Sequence, residues 1–371
     1  MEERRNTGGG RRLQFYDDDD ARLAEKLVFR RLLADDLVTL KTDEIGVEKY
    51  TVHQPDEKYA FLHEAAIAEY GGTLFASWYN CPEKELAGHT PIRERRSRDG
   101  GRSWGPAFTV AEDESDGIMF CPPVYAEDDT GFYMLVNEMT APDHIHALDL
   151  YKLEDDASFG RLWSRAIPFK LNTNALRLPN GRLMLSGRVG ELDGFPNTPA
   201  VMISDSGRVD ADWRLVRIAA DGVLPDGTEL LHPEICPIVC GGRIYMFCRN
   251  DRRRTTLMYI SEDMGESWTG PYTHDIPFIS SKIYAGTLED GRNYVIGNID
   301  EPDRSRLAVY FSRRGSMCFD RRVIIEDRAA YASHYPAAFE RGGRLYMIYT
   351  VNETWDRRGA ALAVIDTEKI G

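Results

Sequence analysis

The chain has 371 residues, a formal charge of −14, and 42% hydrophobic and 11% aromatic residues. Bulk acidity argues against a nucleic-acid partner or an anionic membrane surface, and no apolar run is long enough to insert into a bilayer. Residues 1–10 are charged and Gly-rich with no apolar core, so no signal peptide is visible and the expected location is cytoplasmic. The six cysteines, Cys81, Cys121, Cys236, Cys240, Cys248 and Cys318, form no Cys-x-x-Cys pair and are expected to be buried free thiols.

Residues 1–20 are Arg/Gly-rich and end in four consecutive aspartates, Asp17 to Asp20, which reads as a disordered arm. Residues 20–36 carry apolar side chains at helical spacing behind an Asp and predict a short amphipathic helix. The division expected is therefore an arm and helix over 1–36 and a single domain over 37–371.

From about residue 37 the pattern changes to short apolar runs separated by Gly turns. Gly72, Gly131, Gly181, Gly242, Gly291 and Gly343 each close a turn followed by alternating bulky residues, as in Gly242-Arg243-Ile244-Tyr245-Met246. Such a turn is a hairpin signal. The six recur every 49 to 61 residues, which predicts an all-β, six-bladed β-propeller of four-stranded antiparallel blades.

A second motif appears twice, at Ser97-Arg98-Asp99-Gly100-Gly101-Arg102-Ser103-Trp104 and at Ser261-Glu262-Asp263-Met264-Gly265-Glu266-Ser267-Trp268. The carboxylate of such a turn caps backbone N–H groups, Gly takes a positive φ, and Trp pins the turn to the sheet. Degenerate copies stand at Ser204-Asp205-Ser206-Gly207 and Ser312-Arg313-Arg314-Gly315. The two full copies fit turns between the outer strands of a blade.

In a propeller the innermost strands line a central funnel. Counting back eight to ten residues from each turn Gly reaches His63 and Glu64, His232 and Glu234, Lys282, and His334 and Tyr335. The following strands end in residues such as Arg188 and Arg249, at the same rim. Ionisable side chains at matching ends of the repeats make this funnel the candidate ligand site. His144 and His146 share a strand face, but nothing nearby completes a metal-ligand set, and no metal or other cofactor is expected.

The repeated motif resembles the Asp-box, or BNR repeat, of the sialidase (neuraminidase) superfamily, and the resemblance covers about residues 55–365. Glu234 opening one strand and Arg249 closing the next are similar to the family's base and a carboxylate-gripping Arg. Arg304, spaced before Leu307, resembles the family's later carboxylate-binding Arg, and Ser333-His334-Tyr335 resembles the segment that carries its nucleophile. The resemblance implies an exo-acting glycoside hydrolase that releases a terminal acidic sugar, sialic or uronic acid-like, from a carbohydrate substrate. Tyr335 would be the nucleophile, activated by Glu234, with Arg249, Arg304 and Arg188 binding substrate.

Two departures stand out. Leu62 occupies the place of the family's first substrate Arg, and the segment 81–96, which normally holds the acid Asp, contains no Asp. His63 and Glu64 are therefore candidate proton-transfer groups, and His89, on that segment, is a candidate substrate contact with His334 and Lys282. The same residues suit two alternatives: a lyase acting by β-elimination on a uronic-acid-containing glycan, or a glycan-binding propeller without catalysis.

Overall fold

The computed structural model describes residues 23–34, 40–142, 144–155, 157–189, 197–251, 256–299, 304–327 and 332–371. The expected disordered arm lies outside them.

Six antiparallel sheets form the blades. From inner to outer strand, blade I is Phe61–Tyr70, Thr73–Cys81, Ile92–Ser97 and Phe108–Ala111, and blade II is Met119–Asp128, Gly131–Ala141, His144–Leu153 and Phe159–Arg165. Blade III splits its inner strand into Phe169–Leu171 and Leu176–Arg177, then adds Leu183–Val189, Thr198–Ser204 and Arg214–Arg217. Blade IV is Ile235–Cys240, Arg243–Cys248, Leu257–Ser261 and Thr269–His274. Blade V is Tyr284–Thr287, Asn293–Asn298, Arg306–Ser312 and Phe319–Asp327. Blade VI joins Ser333–Arg341, Arg344–Asn352 and Arg358–Asp366 to Glu48–His53, so the first long strand closes the last blade.

Each of the six turn glycines lies between an inner strand and its neighbour, with φ between 71° and 148°. That backbone region is open to Gly and costly for most other residues. The paired motifs sit between the third and fourth strands of blades I and IV, as expected. In the first, Asp99 accepts from the Ser103 N–H at 3.0 Å and from its hydroxyl at 2.6 Å, while Ser97 Oγ accepts from Gly101 N at 2.9 Å. These hydrogen bonds, those from Ser103 first, hold the Asp99 carboxyl down at about 2. Gly101 is wedged against blade VI, and a Cβ there would come within 2.2 Å of Leu362 Cδ2. Core packing is inter-blade: Phe132 of blade II stacks on Tyr70 of blade I, with ring centroids 5.0 Å apart.

The short N-terminal helix expected is present, at residues 23–26 among the described residues, and the rest of the described segment takes another form. Phe29–Arg30 instead pairs in parallel with Thr273 and His274 of blade IV, Leu33 bridges to Phe319, and Lys41–Thr42 pairs with Arg321 and Arg322 of blade V. A short apolar run is ambiguous between helix and strand. Here the unpaired outer edges of two blades supply hydrogen-bond partners that a surface helix would leave exposed. Asp275 fixes the segment: its Oδ1 accepts from the N–H groups of Leu32 at 2.7 Å and Leu33 at 2.9 Å. All six cysteines are free, five of them buried.

Replacing Asp275 by Ala strands those two buried N–H groups. The expected cost is about 1–3 kcal/mol of stability, measured as a lower midpoint in denaturant unfolding. Asp275→Asn, which keeps an acceptor oxygen, should recover most of the loss.

Candidate active site

The inner strands of blades I and VI are bulged at the funnel. Their pairing registers shift between His63 and Ala66 and between His334 and Ala337. The bulged residues Glu64 and Tyr335 hold φ of 46° and 56°, and Arg304, just ahead of its strand, holds 64°. For bulky residues this backbone costs about 1–3 kcal/mol each and persists only where the surroundings enforce it. A bulge re-aims side chains, and here Glu64 and Tyr335 line the axial cavity.

That cavity has a volume of about 430 Å³. Blade I and its loop supply His63, Glu64, Glu85 and Leu86; blade III supplies Lys170 and Arg188; blade IV supplies His232, Glu234 and Arg249. Arg304, Tyr335, Trp355 and Arg358 complete the side toward blades V and VI.

Tyr335 is the hub. Arg249 Nη1 donates to the Tyr335 hydroxyl at 2.5 Å and to Glu234 Oε2 at 2.5 Å. Arg249 Nε donates to Asp251 Oδ1 at 2.6 Å, and Asp251 pairs with His232 at 2.5 Å and accepts from Ser280. The guanidinium carbons of Arg249 and Arg304 lie 5.8 and 5.7 Å from the Tyr335 ring centroid, and Lys282 Nζ lies 5.6 Å away. The His63 ring packs against Tyr335 with centroids 4.1 Å apart.

The electrostatics follow from burial and this cation cluster. Burial pushes the Tyr335 phenol well up, with Arg249 opposing. Burial alone would raise Glu234, but Arg249, Lys282 and Arg188 outweigh it and hold the carboxyl below its ordinary range. Glu85 goes the other way: burial and then the Glu64 charge raise it, with Arg358 and Lys170 opposing only in part. His63 and His334 are driven well down, first by burial and then by neighbouring cationic groups, so both imidazoles are neutral near pH 7.

Six residues singled out in the sequence, His63, Glu64, Glu234, Arg249, Arg304 and Tyr335, meet in the cavity wall, and Arg188 joins them. Three others stand elsewhere. Lys282 lies beneath the wall, bound to Glu64 Oε2 at 2.8 Å. His334 lies behind Tyr335, with Nε2 3.0 Å from Asn352 Oδ1. His89 is on the expected segment, but it pairs outward with Asp116 at 2.6 Å and Glu112 at 3.2 Å.

A BNR repeat-like domain model matches residues 72–347. The chain belongs to the BNR repeat-like family. Its six-bladed propeller has the fold seen in solved sialidases. No curated protein sequence matches it. Among solved structures it is similar to a Dyadobacter fermentans protein of unknown function, with 13% identity, a TM-score of 0.68, and coverage of 86% of this chain and 98% of that one. It is also similar to Trypanosoma rangeli sialidase, with 14% identity, a TM-score of 0.68, and coverage of 87% of this chain and 60% of that longer one. A Hadza microbial sialidase aligns with 12% identity, a TM-score of 0.69, and coverage of 87% and 69%. At these identities the likeness establishes the fold.

Four charged or aromatic wall residues of this BNR repeat-like chain, Glu85, Lys170, Trp355 and Arg358, escaped the sequence reading. Glu85 lies within segment 81–96, where the resemblance points to an Asp; its carboxylate was the available signal. Lys170 was missed because the inner strand of blade III is interrupted, which displaces a fixed count from Gly181. In the break, Asn172 Oδ1 accepts from Ile235 N at 3.0 Å and Asn174 Oδ1 from Tyr125 N at 2.9 Å, tying blade III to both neighbours. Arg358 and Trp355 come from a hairpin outside the counted positions. The Arg358 guanidinium packs over the Phe61 ring at 4.2 Å and near Trp355 at 5.0 Å. Leu62, at the expected Arg position, is fully buried in the core, so Arg358 brings a cation to the wall beside Phe61 from another blade.

The Glu64–Lys282 pair is buried on both sides. Removing one partner leaves a buried charge, so Lys282→Met should destabilise the fold by about 3–5 kcal/mol. Glu64→Gln combined with Lys282→Met should restore most of that, as a double-mutant cycle of unfolding free energies would show.

Proposed function

We propose that the chain is a glycoside hydrolase of sialidase-like type that releases a terminal acidic sugar. The observation that carries this reading is the Tyr335–Arg249–Glu234 constellation, in which one guanidinium holds both a buried phenol and an ionised carboxylate. A guanidinium fork suits a carboxylate, and Arg304 offers a second one beside it. Tyr335 attacks the anomeric carbon as its proton passes to Glu234, while Arg249 stabilises the phenolate that develops. A neutral phenol meets no repulsion at a carbon that already bears a carboxylate, and sialidases are the Tyr-nucleophile exception among glycosidases.

Glu85 takes the role of acid. Its raised pKa keeps it protonated at pH values where Glu234 is already ionised, the separation a proton donor and a proton acceptor require. It protonates the departing oxygen, then draws the proton from the water that cleaves the Tyr335–sugar bond. Glu234 returns its proton to Tyr335.

Activity should therefore rise with pH as Glu234 ionises and fall again through the raised pKa of Glu85. Tyr335→Phe should lower kcat by a factor of about 10²–10⁴, and Glu85→Gln should abolish the alkaline limb while sparing substrates with good leaving groups. The decisive measurement is release of free sugar from aryl and natural glycosides of sialic and uronic acids. Full turnover by Tyr335→Phe, or an unsaturated uronate as product, would overturn the reading.

A further inference from the structure

Glu85 stands on a loop, residues 82–91, that joins the second and third strands of blade I. Backbone hydrogen bonds fix the loop at its ends. Ala60 N donates to the Pro82 carbonyl at 2.9 Å, Asn80 N to that of Pro91 at 3.1 Å, and Phe120 N to that of Thr90 at 3.0 Å. Between the ends, the N–H groups of Leu86 and Ala87 donate to the buried Cys81 sulfur, which also lies 3.5 Å from Thr90 Oγ1.

Two side chains act on this loop. On the buried side, the Tyr79 hydroxyl donates to Glu85 Oε1 at 3.3 Å. Tyr79 is fully buried and is the direct cross-strand partner of His63, so its ring has a fixed place in blade I. On the outer side, His89 turns each ring nitrogen to a carboxylate: Nδ1 lies 2.6 Å from Asp116 Oδ1 and Nε2 3.2 Å from Glu112 Oε2. The turn that presents Asp116 is itself braced. Asp113 Oδ2 accepts from Gly117 N at 2.9 Å and Ile118 N at 2.8 Å, and Asp116 holds a φ of 56°, a region that few non-glycine residues adopt. Partly exposed ion pairs add little to stability. A braced turn and an unusual backbone kept for such a pair point to placement of the loop as its service.

We propose that Tyr79 and His89 are positioning residues for the acid Glu85: Tyr79 orients its carboxyl group, and His89 ties the loop that carries it to the connection between blades I and II. This rests on the proposed function, which makes Glu85 the acid. A proton donor has to stand within hydrogen-bond reach of the departing oxygen, and a misplacement of about 1 Å costs about 10²-fold in rate. Connecting loops are more mobile than the strands they join, so an acid carried on one gains its precision from ties of this kind. Tyr335, Glu234 and Arg249 stand on or beside strands of blades IV and VI and do not depend on them.

The test compares kcat on phenyl and 4-nitrophenyl glycosides of N-acetylneuraminic acid and glucuronic acid, using the full chain. The phenyl compounds need protonation of the leaving oxygen and the 4-nitrophenyl compounds need little. Tyr79→Phe and His89→Gln should each lower kcat on the phenyl glycoside by about tenfold or more and on the 4-nitrophenyl glycoside by about twofold or less, with KM unchanged. His89→Arg, whose guanidinium can reach both carboxylates, should stay near the parent. In the Glu85→Gln background neither substitution should lower the phenyl rate further, because the group they serve is gone. The alkaline limb should move upward in Tyr79→Phe, since a hydrogen bond that favours the ionised carboxyl is lost, while Glu64, Glu234, Arg358 and Lys170 still set the rest of its field. The ratio of the two rates is read within one preparation, so a smaller folded fraction cancels. Equal losses on both glycosides, no loss on the phenyl glycoside, or a further loss in the Glu85→Gln background would overturn the positioning role and leave the hydrolase reading standing. Release of no sugar by the parent chain from any of these glycosides would overturn both.

Discussion

Everything in the funnel depends on closure of the ring. Glu48–His53 pairs antiparallel with Arg358–Asp366, so the chain's early strand completes its last blade. Without that ladder the inner strands of blades I and VI have no reason to stay side by side. With it, the His63 and Tyr335 rings pack against each other across the junction, and the backbone N–H of Arg358 donates to the Ala60 carbonyl at 2.9 Å. The extended segment before it adds short strands to blades IV and V and ties three consecutive blades with one stretch of chain. The frame is over-determined there, which is what positive-φ residues such as Glu64 and Tyr335 require.

A rigid frame also explains how so many charges can be buried around one axis. Each ion loses hydration worth several kcal/mol on burial and regains it only through well-placed partners. Arg249 meets this demand by using separate nitrogens for Glu234 and Asp251, with Asp251 held in turn by His232 and Ser280. Lys282 meets it through Glu64. The two imidazoles avoid it by staying neutral. The result is a cluster of cationic side chains at the axis of a protein whose formal charge is −14.

The fold was legible because the features that specify it are local. A Gly with positive φ, or an Asp capping its own turn, acts within a few residues and repeats with the blade period. The funnel positions of blades I, IV and VI were legible for the same reason: their inner strands run unbroken enough for a fixed count to hold. The N-terminal segment was not legible, because its conformation is set by edges more than 200 residues away, as the Asp275 contacts with Leu32 and Leu33 show. Lys170 was hidden by a strand break whose cause is side-chain bonding to neighbouring blades. Glu85 was not legible because the family resemblance points to an Asp in its segment.

Leu62 carries the most general lesson. By position in the strand it replaces a substrate-binding Arg, and taken alone it argues for a weakened anion site. In space it packs into the core, and the bulge beginning one residue later directs His63 and Glu64 to the wall instead. The wall beside Phe61 receives its guanidinium from Arg358, on the third strand of the neighbouring blade. A ligand senses where a charge stands and what surrounds it, and has no access to the order in which the chain supplies it. A missing residue at an aligned position is therefore weak evidence of a missing function in a closed ring, where six strands end at one axis and any neighbour can fill the gap.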